Sequence, residues 1–188
     1  MTNTINSDFS DQTDFNKYNN KGLSGIVNLG NTCYINSAIQ CLSHTLELTD
    51  FFLTNKWNQD LNDDYKFNTF SKQWYRLING LWEDNCTVAP QSLLKLMIKI
   101  SNEKELSFGF SNFRQNDIQE FLIFILDNLH ESLNKRKFKS NKSKKKSEIS
   151  WNTFFENDYS KIIDLFYGQI SSSIIDINTN KILSVSYQ

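Results

Sequence analysis

Between Asn116 and Leu133 the apolar residues Ile118, Phe121, Leu122, Ile125, Leu129 and Leu133 return every three or four positions, the period of an α-helix. Ile123, Phe124 and Leu126 widen that stripe until most of the circumference is apolar, so the helix must be buried among other elements. A chain of 188 residues supplies enough partners for one domain. Such a chain buries roughly 70% of its unfolded surface. Aromatic residues make up 14% of it, including 15 Phe, which argues against disorder for most of its length.

The same periodicity predicts three more helices. One starts near Thr32 or Cys33 and carries Tyr34, Ile35, Ala38, Ile39, Leu42 and Leu46, with Asn31 or Thr32 as its N-cap. Another covers roughly 67–83, with Phe67, Phe70, Trp74, Leu77, Ile78, Leu81 and Trp82 on one side. Pro90 is placed to open a third, carrying Leu93, Leu94, Met97, Ile98 and Ile100. Residues 101–113 read as a Phe-bearing loop. Residues 151–156 form a short segment, and runs near 162–177 and 181–187 have strand character. Residues 1–22 are polar and read as a disordered tail, with order from Leu23 onward. Lys135 to Lys146 holds eight basic residues, so 135–148 reads as a solvated basic loop.

Several function classes fall away. Lys and Arg number 20 against 21 Asp and Glu, a net charge of −1, so bulk charge does not favour nucleic acid. The basic run contains one aromatic, Phe138, and no nucleic-acid motif accompanies it. No apolar stretch reaches 18 residues and the N-terminus is polar, so neither a membrane span nor a signal peptide is expected. Three cysteines fit a reducing compartment, the cytoplasm or the nucleus. Their spacing suits no zinc site, and no cofactor is implied.

Cys33 stands where a Gly-containing loop meets a helix N-terminus. Such a position can lower a thiol pKa from about 8.5 and offers unpaired N–H groups to an oxyanion. Asn28, across the loop, could aim its amide at the same oxygen. Buried packing is the competing reading, since cysteine is among the most buried residue types. Cys41 reads as core and Cys86 as a half-buried loop filler.

The run Asn28-Leu29-Gly30-Asn31-Thr32-Cys33-Tyr34-Ile35-Asn36-Ser37, with Gly22-Leu23 before it and Gln40-Cys41-Leu42 after it, closely resembles the Cys box of the ubiquitin-specific proteases. Arg114-Gln115-Asn116-Asp117-Ile118-Gln119-Glu120-Phe121-Leu122, running on to Leu126-Asp127-Asn128-Leu129-His130-Glu131, is similar to the family's next motif, with Ile118 in place of the usual Ala. Trp151, Ser160, Ile162-Ile163 and Asp164-Leu165-Phe166-Tyr167-Gly168-Gln169 follow in the same order. The resemblance implies an α+β, papain-like cysteine peptidase, here mainly the helical thumb plus the start of the β fingers, over residues 23–188. It implies a deubiquitinating thiol protease acting on ubiquitin or ubiquitinated proteins. By position, Cys33 matches the nucleophile, Asn28 the oxyanion donor, and Asp117 with Glu120 the acidic pair that holds ubiquitin's Leu-Arg-Leu-Arg-Gly-Gly tail. Charge balance at a helix N-terminus would also favour those two acids.

The family's His box is missing. His44 lies about 16 Å along a helix from Cys33, and His130 about 20 Å beyond Asp117, so both read as structural or surface histidines. Three explanations stay open. The chain is a fragment or split enzyme whose second polypeptide supplies the histidine; it is a catalytically dead ubiquitin-binding or regulatory module; or it is catalytic by another route. Alone, it is expected to be inactive or very weak.

Overall fold

The computed structural model describes residues 14–106, 117–134 and 145–188. Its longest helix, α5 (Ile118–Leu133), runs through the core, and Phe121, Phe124, Ile125, Leu129 and Leu133 are all buried. Three helices pack on it: α1 (Cys33–Ser43), α3 (Thr69–Glu83) and the short α7 (Lys161–Phe166). Further helices, α2 (Leu46–Leu53) and α4 (Gln91–Glu103), cover α3. The predicted helix near 67–83 forms as α3, and Pro90 caps α4 as its fixed φ suggests.

Three departures from the sequence reading have identifiable causes. The helix at Cys33 stops at Ser43 rather than running on to Leu46. Thr45 is extended there, and Thr49 Oγ1 donates to the Ser43 carbonyl at 2.6 Å, so a new helix starts. The run from 162 is helical through Phe166 before any strand begins, because Ser160 caps α7 by accepting from the Ile162 N–H. Residues 145–148, assigned to the basic loop, belong to a helix: Lys145 caps α6 (Lys146–Phe154), with its Nζ 3.2 Å from Glu148. The rest of that loop, 135–144, lies outside the described residues, as do 107–113 of the Phe-bearing loop and residues 1–13.

Residues 14–22 are not a loose tail. Phe15–Tyr18 form a 3-10 turn, and Tyr18 and Lys17 both reach Asp50, which is buried on α2. Tyr18 also packs edge-on to Trp82 at 5.4 Å. Gly22 follows at φ +70°, lying so close to the Trp82 ring that a Cβ would approach it to 2.9 Å. The chain then enters β1 (Gly25–Ile26), which pairs in parallel with β2 (Thr87–Val88). This tether depends on residues distant in sequence, so composition could not reveal it.

At the other end, β3 (Ser171–Asp176) and β4 (Lys181–Tyr187) form an antiparallel hairpin. Its turn is held by Asp176, which accepts from Asn178, Thr179 N–H and Thr179 Oγ1. Ile174, Ile175, Ile182, Leu183 and Val185 are exposed, Leu183 at 67%. Both faces of this two-stranded ribbon are therefore largely uncovered, and a lone hairpin is marginal in water.

Asp50 offers a test of the tether. Burial pushes its carboxyl up, but the Lys17 ammonium, the Tyr18 hydroxyl and the charge of Lys56 outweigh that and hold it below the usual carboxylate range. Its stabilisation is therefore complete above the unfolded value of about 4 and drains as pH falls through the folded one. Asp50→Asn should cost about 2 kcal/mol at neutral pH in urea unfolding. The gap to wild type should close in acid, and trypsin should cut after Lys17 and Lys21 more readily in the variant.

Candidate active site

The loop from Asn28 to Thr32 determines where α1 begins. Gly30 has φ +99° and Asn31 φ +49°, so two consecutive left-handed residues swing the chain into the helix. Gly meets this demand without strain, and Asn tolerates it better than most residues. Asn28 Oδ1 accepts from Gly30 N–H at 3.1 Å, from Thr32 N–H at 3.2 Å and from Thr32 Oγ1 at 2.9 Å. Thr32 Oγ1 in turn accepts from Leu29 N–H at 3.0 Å. The Thr32 side chain thus braces the loop instead of capping the helix.

Deeper anchors hold α1 to β1. Asn36 Nδ2 donates to the Ile26 and Val27 carbonyls, and Gln40 Nε2 to Ser24 at 2.9 Å. The buried stripe of α1 is Ile35, Ala38, Ile39 and Leu42. Cys33 precedes that stripe and is exposed at the helix start. Cys41 lies off the stripe and is also exposed, which corrects its assignment to the core. Cys86 is exposed as well rather than half-buried, with Sγ 3.9 Å from the Gly80 carbonyl.

The acidic pair stands at the start of α5. Asp117 is the N-cap, accepting from Gln119 N–H at 2.7 Å, and Glu120 is in the first turn. Both are exposed, and burial begins only at Phe121. Helix-end stabilisation is therefore one real role of Asp117, and among the described residues no donor takes its second oxygen. The two helix starts meet through one aromatic contact: Tyr34, next to Cys33, packs edge-on against Phe121, next to Glu120, at 5.5 Å and 80°.

A groove of about 400 Å³ continues from Glu120 along α5, lined by Lys104, Leu106, Ile123, Phe124, Asp127 and Asn128. Burial pushes the Asp127 carboxyl up, against the pull of Lys104 and His130. The sequence reading gave Asp127 no role, although its spacing of seven from Glu120 puts both on one helix face. Beside the groove, burial with the nearby Glu131 and Asp127 charges pushes the Tyr65 hydroxyl up to about 12, and it donates to Asn128 Oδ1 at 3.0 Å.

Neither histidine stands beside Cys33. His44 follows the opposite end of α1, its ring 5.4 Å from Trp82 and its Nδ1 on the Gln40 carbonyl. His130 is buried in the last turn of α5, with Nδ1 at 2.8 Å from Ser160 Oγ and Nε2 at 2.8 Å from Asp158. Among the described residues no group of three His, Cys, Asp or Glu side chains could hold a metal ion, and no helix is long and apolar enough to cross a membrane.

Comparison with known proteins matches this arrangement to one family. The ubiquitin carboxyl-terminal hydrolase profile matches residues 24–182. Ubiquitin carboxyl-terminal hydrolase 15 of Homo sapiens is 34% identical over 166 residues, covering 82% of this chain and 16% of its own length. Ubiquitin carboxyl-terminal hydrolase Usp2 of Drosophila melanogaster is 36% identical over 162 residues, covering 82% and 16%. The chain thus spans about a sixth of these relatives. Two solved structures share the fold. The SAGA module of Ubp8, Sgf11, Sus1 and Sgf73 bound to ubiquitin aldehyde superposes with a TM-score of 0.58 at 20% identity, over 89% of this chain and 33% of the other. The same module with a Ser-to-Asn change in Ubp8 gives 0.58 at 19%, over 89% and 35%.

The loop geometry makes Gly30 the least replaceable residue near Cys33. A Cβ there meets nothing within 4 Å, so the cost of substitution is conformational only. Gly30→Ala should lower stability by about 1–2 kcal/mol, the usual penalty for left-handed backbone. Gly25→Ala, equally open but with an ordinary φ, should stay within about 0.5 kcal/mol in the same thermal melts.

Proposed function

The chain belongs to the ubiquitin carboxyl-terminal hydrolase family, and from that membership we propose that it is the thiol-bearing half of a deubiquitinase. In this reading Cys33 attacks the carbonyl of ubiquitin's terminal Gly. Asn28 Nδ2 and the first N–H groups of α1 receive the oxyanion. Asp117 and Glu120 hold the two arginines of the tail by charge-assisted bonds. The observation that carries the reading is the exposed Cys33 at a helix start, with the Asn28 carboxamide pinned by its oxygen so that its N–H₂ end stays available.

Thiol acylation needs a base to take the proton and an acid to protonate the leaving amine. Both histidines are engaged elsewhere, so the isolated chain has neither. Loss of the triad histidine costs about 10⁶ in turnover in a serine protease, and a similar deficit is expected here. A second polypeptide, or further residues of the same protein, would supply the histidine and its orienting partner. The uncovered β3–β4 hairpin supports such a partner, since it offers apolar faces and free strand edges to more chain. The second reading, a catalytically dead ubiquitin-binding module, is favoured by the same two engaged histidines.

Ubiquitin vinyl sulfone and ubiquitin-AMC distinguish the outcomes. The 188-residue chain alone should hydrolyse ubiquitin-AMC barely above buffer, and the probe should label Cys33 slowly. Adding the histidine-bearing remainder of a family catalytic domain should restore turnover. Cys33→Ala should abolish it, and Asn28→Ala should reduce it by about 10²–10³. Turnover at full family rates by the chain alone, or labelling at Cys41 or Cys86 in place of Cys33, would refute the proposal. Ubiquitin binding without restored turnover would leave the module reading.

A further inference from the structure

We propose that Thr32 is a positioning residue: its hydroxyl locks the Asn28 carboxamide in the orientation that two backbone N–H groups select, with its N–H₂ end presented beside Cys33. This rests on the oxyanion role proposed for Asn28 and adds the element that makes the role possible. A carboxamide can turn over about its last side-chain bond, exchanging an N–H₂ donor for a carbonyl acceptor. Only the donor end stabilises an oxyanion, and the acceptor end would repel it. The orientation is usually ambiguous. Here two of the three partners are backbone N–H groups, of Gly30 and Thr32, which can only donate, so the oxygen must face inward.

The third partner is the one a side chain can change. Thr32 is 1% exposed, so its hydroxyl is shielded from water. Oγ1 accepts from Leu29 N–H, which leaves its own proton to go to Asn28 Oδ1 at 2.9 Å. The hydroxyl therefore works as a relay, joining the strand side of the loop to the carboxamide. A residue without it would leave Leu29 N–H unpaired and reduce the hold on Oδ1 to two backbone bonds at 3.1 and 3.2 Å, made across a loop with two left-handed residues. Serine would keep both bonds. Valine, of the same shape, would keep neither.

Nitrogen-15 relaxation of the Asn28 side-chain N–H₂ in the full 188-residue chain decides the matter, with the resonance assigned by its loss in Asn28→Ala. The wild-type group should be as rigid as backbone, with an order parameter of about 0.85, and Thr32→Ser should match it. Thr32→Val should drop below ~0.6. Thr32→Ala provides the same comparison should the valine variant fail to fold. A mobile wild-type carboxamide, or one equally rigid in wild type and in the valine and alanine variants, would overturn the inference. In a parallel assay, affinity for ubiquitin aldehyde should fall roughly tenfold or more in Thr32→Val and recover in Thr32→Ser. Alkylation of Cys33 by iodoacetamide, which needs no oxyanion donor, should stay within about twofold. If the carboxamide loosens in Thr32→Val but aldehyde affinity does not fall, Thr32 orients Asn28 and it is the oxyanion role of Asn28 that fails.

Discussion

The T-shaped contact between the Tyr34 and Phe121 rings joins the two helix starts on which the proposed site depends. Aromatic pairs in this geometry add about 0.5–1.5 kcal/mol beyond the area they bury. The value of the contact is geometric. It places the N-terminus of α1, with its exposed thiol, next to the N-terminus of α5, with its exposed acids. The rest of the structure keeps those two ends from moving. Asn36 and Gln40 tie α1 to the β1 segment, and the Asp50 tether holds the chain that leads into it. At its far end α5 is fixed by His130 between Ser160 and Asp158, by Asn134 on Asp158, and by the Ser132 carbonyl accepting from Asn62 N–H. Buried polar groups satisfied in this way rigidify a core, so the acidic start of α5 can stay exposed without becoming loose.

The arrangement divides the chemistry of an acyl transfer. In the proposed reading, the electrostatic preorganisation an oxyanion needs is built into the Asn28–Thr32 loop, and the grip on a cationic tail into the first turn of α5. Proton transfer is not, because both imidazoles serve structural ends. On that reading the chain holds and orients, while the step that moves protons waits on groups from elsewhere. The bare apolar hairpin at the C-terminal end of the sequence fits the same division, since sheets of two strands need more chain to be stable.

Much of this was legible in the sequence, for physical reasons. The wide apolar stripe of α5 could only be a buried helix, and Gly30 before the period of α1 located the helix start to within a residue. The Cys33, Asn28, Asp117 and Glu120 positions came from ordered motifs, whereas periodicity alone would have left Cys33 as packing. What could not be read depended on partners far apart in the chain. The pairing of Lys17 and Tyr18 with Asp50 spans more than thirty residues, so the segment at 14–22 read as a tail. The break at His44–Thr45 comes from one hydroxyl on one carbonyl, inside a run whose apolar spacing continues unbroken. The helix at Lys161–Phe166 carries Ile162, Ile163 and Phe166, residues that suit a strand, and its capping Ser160 decided otherwise. Cys41 read as core on residue type, but the α1 stripe passes beside it.

The central claim is that the two helix starts form one surface for ubiquitin's tail. Titration of the isotopically labelled chain with the hexapeptide Leu-Arg-Leu-Arg-Gly-Gly tests it most directly. Amide shifts should concentrate in Asn28–Tyr34 and Asp117–Phe121, weaken with added salt, and disappear in the double variant Asp117→Asn, Glu120→Gln. Shifts confined to the hairpin or to the α6 face, or no shifts at millimolar peptide, would contradict it.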